Sequence, residues 1–131
     1  MSPAEYFEIL NQLRDGLNLE GSVFITLLFA YVVVTYLVGE KLSTFQVWAL
    51  STVYTVFLLL PFGGMISRVI GFQTLANKFH QEYPEYAISF IAHSFPHFHY
   101  IVGGVLVSTW LLSIYFMIHV RLGIGSKDKV A

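Results

Sequence analysis

Apolar residues along this chain gather into three long blocks, separated by brief polar punctuation. Residues 21–39, 42–67 and 86–120 contain no Asp, Glu, Lys or Arg. A helix needs roughly 20 apolar residues to cross a hydrocarbon core about 30 Å thick. An ionised side chain near the centre of that core costs about 3 kcal/mol. The pattern predicts an all-α integral membrane protein with three transmembrane helices. An N-terminal amphipathic helix would precede them, and an interfacial or re-entrant helical segment would link the second and third crossings.

Residues 1–20 read as the amphipathic helix. Ser2-Pro3-Ala4-Glu5 has the form of a capping box with Pro at the first helical position. Tyr6, Ile9, Leu10 and Leu13 then recur at helical spacing, opposite Glu8, Asn11, Gln12 and Asp15. Gly16 is expected to end this helix and a membrane surface to hold it. Four acidic residues and the lack of a small-residue cleavage signal argue against a removable leader. The first crossing is expected over 22–38, with Ser22 as cap and Gly39 as stop. A turn at Gly39-Glu40-Lys41-Leu42 leads to Ser43, the cap of a second crossing over 43–61. Pro61-Phe62-Gly63-Gly64 should break that helix. So short a link predicts an antiparallel helical hairpin.

The connection over 65–95 has a different pattern. Met65, Val69, Phe72, Ala76 and Phe79 share one helical face; Ser67, Gly71, Thr74, Lys78 and Gln81 share the other. Arg68 and Lys78 disfavour a crossing, so this segment is expected in the interface plane or over the ends of the spanning helices. The uncharged run 86–120 would reach about 52 Å as one helix, too far for a single crossing. Pro96 divides it: a third crossing over 96–120, capped by Ser94, follows a short apolar piece over 85–95 that is interfacial or re-entrant. Residues 121–131 are expected to form a mobile polar tail.

Composition reinforces the membrane reading, with 56% hydrophobic and 11% charged residues and a mean hydropathy of +0.67. The net charge of −1 argues against a nucleic-acid partner, because phosphate binding needs a basic surface. Seven Lys and Arg are too few for a polybasic lipid patch. The absence of Cys removes disulfides, thiolate catalysis and thiolate-held metals. Lys41, Arg121, Lys127 and Lys129 would share one side, and Arg14, Arg68 and Lys78 the other. The positive-inside rule then favours a cytoplasmic C-terminus and an outside N-terminus.

Candidate chemistry lies in two patterns. All five histidines fall in the second half of the chain: His80, His93, His97, His99 and His119. A metal ion held by His80, His93, His97 and His99, with Glu82 and Glu85 as oxygen donors, is one reading. His97 and His119 as pH sensors is another, and interfacial aromatics in structural roles the third. Haem is disfavoured: the first two helices lack His, and His97 and His119 would stand about 33 Å apart on one helix. The second pattern is a set of small or polar stripes at helical spacing. Gly104, Ser108 and Tyr115 fall on the third helix, in line with His97 and His119; Thr44, Trp48, Ser51 and Thr55 on the second; Tyr31 and Thr35 on the first. Such stripes are expected to form the packing seam of the bundle, within one chain or between copies, or else to line a polar path or ligand cleft between the helices.

No Asp, Glu, Lys or Arg falls inside the expected crossings, and no phosphate loop, HExxH or G-x-S-x-G occurs. The leading expectation is therefore a small non-enzymatic membrane subunit, embedded in the bilayer, that self-associates or joins a larger membrane complex. The alternatives are a metal or redox site in the 80–99 connection and a channel-forming oligomer.

Overall fold

The computed structural model describes residues 1–86 and 97–127. It contains three long helices, α1 (Pro3–Val38), α2 (Thr44–Glu82) and α3 (Phe98–Lys127), with a 3₁₀ turn at Gly39–Lys41. All three are long and apolar enough to cross a membrane. The caps expected at Ser2 and Ser43 are present as capping boxes, whereas Ser22, expected to cap the first crossing, lies inside α1. The Ser2 amide donates to Glu5 and the Glu5 amide to the Ser2 hydroxyl; Ser43 and Gln46 do the same at the start of α2. Pro3 has no amide hydrogen to satisfy, and the capping boxes take up two of the remaining orphan amides at each start, so both starts are defined locally.

The stop expected at Gly39 is present, whereas the breaks expected at Gly16 and at 61–64 are not realised. The helix expected over 1–20 and the crossing expected over 22–38 are one uninterrupted helix of 36 residues, continuous through Gly16. Likewise α2 runs 39 residues through Pro61, Gly63 and Gly64. A glycine costs a helix about 1 kcal/mol against alanine, and an internal proline about 3 kcal/mol. Packing outweighs both, because α1 and α2 lie antiparallel along nearly their whole lengths. Tyr6 pairs with Phe79 and Glu82 near one end, and Tyr31 pairs with Ser51 and Tyr54 towards the other.

The two amphipathic faces read from the sequence are real, but they meet each other. Tyr6 and Leu10 of α1, and Val69, Gln73, Ala76 and Phe79 of α2, are all buried. Those faces are covered by protein, and neither segment is a helix separate from the crossing it adjoins.

Helix α3 packs antiparallel to α2 and parallel to α1. Trp110 reaches Thr55, Ser113 reaches Tyr54, and Arg121 reaches Thr44. The core where the three helices meet comprises Phe24, Tyr31, Tyr54, Leu58, Leu106 and Met117. Instead of giving way to a polar tail after 120, α3 continues to Lys127, since an established helix adds a hydrogen bond with each residue. The Ser94 cap, the Pro96 start, His93 and most of the expected 85–95 piece lie outside the described residues.

Candidate functional site

The three uncharged blocks fall into register once the helices pack. Glu40, Lys41 and Arg121 stand at the end where α1 turns into α2; Glu20 and Arg68 pair on the other side of the bundle. Between them lies a layer free of Asp, Glu, Lys and Arg, about 30 Å deep when measured as helix rise from Glu20 to Glu40. Its outer surface is apolar, with Ile25, Phe29, Leu60, Val105 and Leu112 all more than half exposed. Tyr36, Phe45 and Trp48 are exposed near the turn end of this layer, at 74%, 80% and 71%.

Inside the layer, a chain of hydroxyls and rings ties the three helices together. The Tyr31 and Tyr54 rings stack at 4.0 Å and 9°. The Tyr31 hydroxyl bonds Ser51 at 2.8 Å, and the Tyr54 hydroxyl bonds Ser113 at 2.9 Å. The Trp110 indole N–H donates to Thr55 at 3.1 Å, while Thr55 donates to the Ser51 carbonyl. Every hydroxyl here has a partner, as burial among apolar groups requires. The seam therefore ties the three helices together.

This seam unites some of the expected residues and not others. Tyr31, Thr35, Ser51 and Thr55 lie in it, with Thr35 buried and donating to the Tyr31 carbonyl. Thr44 is exposed and accepts from Arg121, and Trp48 points outward. Gly104, Ser108 and Tyr115 are exposed on the outer face of α3, so the α3 stripe is not part of the intrachain seam. The face that packs carries Leu106, Trp110, Ser113 and Met117, at spacings of four, three and four. That spacing is itself a legible signal, but small residues drew the eye to the opposite face.

Sequence reasoning also missed the ion pair. Arg68 Nε stands 3.2 Å from Glu20 Oε1, with both side chains partly exposed. Glycine notches admit it: a Cβ at Gly16 would overlap the Arg68 guanidinium, and one at Gly64 the Glu20 carboxylate. The signal was present as a matched spacing, Gly16 four residues before Glu20 and Gly64 four before Arg68. In an antiparallel pair those spacings set each charge over the other helix's glycine.

The histidines disperse among the described residues. His99 Nδ1 lies 3.2 Å from Gln73 Oε1, and its ring packs on Tyr100 at 4.1 Å. His97 also approaches Tyr100, while His119 stacks on Tyr115 near the other end of α3. His80 is on the outer part of α2. Among the described residues no three His, Asp or Glu side chains converge as a metal site would require.

Beyond the Glu20–Arg68 pair, the α1/α2 hairpin ends in an aromatic cluster. Phe79 packs against Tyr6, Phe7, Tyr83 and Tyr86, with ring centroids 5.0–5.8 Å away. The Tyr6 hydroxyl donates to Glu82 at 2.5 Å, and the Tyr83 hydroxyl to the Met1 carbonyl at 2.7 Å. Donating a hydrogen bond to that carboxylate, which only the neutral phenol can do, pushes the Tyr6 phenol up to about 12, and burial adds to the shift. The hydrogen bonds within the Ser2 capping box hold the Glu5 carboxyl below its ordinary value.

Comparison with protein-family models, with curated proteins and with solved structures finds no match to this chain.

Proposed function

We propose that this protein is a non-enzymatic subunit of a membrane assembly. Its three-helix anchor crosses the bilayer and carries the outer α1/α2 hairpin on one side. The observation that supports a lipid setting is the register of the three uncharged blocks beneath an apolar exterior, bounded by charged residues at both ends. Tyr36, Phe45 and Trp48 suit the interfacial belt where aromatic side chains concentrate. Assembly would use the outer face of α3, where Gly104 has open space at its Cβ position and Ser108 stands one turn away. Small residues let a second helix approach closely in lipid.

Native mass spectrometry in mild detergent tests this reading. Oligomers or a companion protein are expected from the natural sequence, with loss of that species in a Gly104→Ile/Ser108→Ile variant. A lone monomer in both would overturn it. In orientation, the turn end with Lys41 and Arg121 is assigned to the cytoplasm and the outer hairpin to the opposite side. Single cysteines introduced at Glu8 and Glu40, into a chain that has none, report sidedness through an impermeant thiol reagent. Labelling of Glu40→Cys from outside intact cells would reverse the assignment.

A further inference from the structure

A cavity of about 180 Å³ opens between α2 and α3, inside the charge-free layer. Its floor is made by Phe24, Leu58 and Leu106, all buried, and its mouth by Leu59 and Val107, both exposed on the outer surface. The Trp110 indole forms one wall and is held there by its hydrogen bond to Thr55. With its ring nitrogen already committed, Trp110 offers the cavity a purely apolar surface, and no polar atom is exposed to the cavity.

Such a cavity has no use for water, which needs two or more polar partners to settle in a buried site. An apolar cavity of about 150 Å³ admits a six-carbon ring, so this one has room for the end of a hydrocarbon chain. Counted along the helices, it lies about 6–20 Å below the Glu20–Arg68 level, at acyl-chain depth and clear of the headgroups. The mouth faces the surface that lipid would cover. We infer that this cavity is a lateral binding slot for the acyl chain of a bilayer phospholipid. The inference rests on the membrane reading above. It adds a ligand class and a site, and it gives the rigid Trp110–Thr55 contact a role as the wall of the slot.

The test uses the full chain in phosphatidylcholine vesicles containing a lipid with a diazirine on its acyl chain, photolysed and mapped by peptide mass spectrometry. Ile25 and Leu112 report bulk lipid, and Met117, buried outside the slot, reports background. Label is expected on Phe24, Leu58 and Leu106 well above Met117. A Val107→Phe variant, which closes the mouth with an apolar ring, should bring that floor label down to the Met117 level while Ile25 and Leu112 keep theirs. Leu59→Phe closes the mouth from the other helix and should do the same. Floor label no higher than Met117 in the natural sequence would overturn the slot, as would label that persists in both closed variants. Absence of label at Ile25 and Leu112 would instead remove the membrane reading and the slot with it.

Discussion

The α1/α2 pair is one antiparallel hairpin wrapped in two different surfaces. From the turn to the Glu20–Arg68 pair, its outward positions are Ile25, Phe29, Val53 and Leu60. Beyond that pair they are mostly polar, with Glu8, Asn11, Arg14, Thr74, Lys78 and Gln81 beside Phe7 and Ile70. The inward positions hardly change, since both halves bury tyrosines and aliphatic side chains and satisfy their hydroxyls. Packing between helices therefore follows one logic along the hairpin, and the difference lies on the exterior. Ion pairing marks the change, with glycines on both helices making room for the charges.

The sharpest way to break the outer half is Phe79→Ala, which empties the centre of the aromatic cluster. A loss of about 3–5 kcal/mol is expected for a fully buried ring. Hydrogen exchange should show residues 3–15 and 69–82 opening while the charge-free half stays protected. Equal loosening of both halves would mean that they unfold as one unit. The contrast in solvent is tested by the same substitution on each exterior. Leu112→Arg should cost about 3 kcal/mol of membrane insertion, whereas Thr74→Arg in the outer half should stay within about 0.5 kcal/mol. An insertion assay that tolerated both equally would remove the distinction.

Smaller effects probe the boundary. Arg68→Ala should cost about 1 kcal/mol, because both partners are partly exposed and water screens the pair. Gly16→Ala gains about 1 kcal/mol of helix propensity, but its new methyl displaces the guanidinium, so the gain should emerge only once Arg68 is already alanine. A double-mutant cycle read by thermal unfolding in detergent checks this coupling. The least effect is pH-dependent. The Tyr6 phenol is raised from 10.0 to about 12, so its stabilising contribution is whole below pH 10 and is lost as pH rises through about 12. Hydrogen exchange of the outer half should show that loss, and Tyr6→Phe should abolish it. A profile unchanged by the substitution would detach Tyr6 from the alkaline transition.

Much of the architecture was legible in advance. Three charge-free blocks, two capping boxes and the four-residue link at 39–42 are local patterns, and each appears where local physics sets it. Gly16 and Pro61 misled because intrinsic propensity measures an isolated helix, whereas here a long neighbour lies against both positions. The α3 stripe misled for a related reason. Gly104 and Ser108 permit close approach by another helix, but permission is not contact, and the packing face uses Trp110 and Met117 instead. The histidines were close in sequence, yet among the described residues His97 and His99 engage Tyr100 and Gln73 without converging.

The amino-acid sequence by itself determined the three long apolar stretches, where α1 and α2 start and which layer is free of charge, because these depend on composition and neighbours along the chain. Only the tertiary structure decided which faces meet, that the two amphipathic segments cover each other, and that Glu20 finds Arg68 across two glycine notches. Those outcomes depend on the relative rotation and register of separate helices. Such quantities are set by side-chain shape at contacts between residues far apart in the chain, and no single helical period contains them.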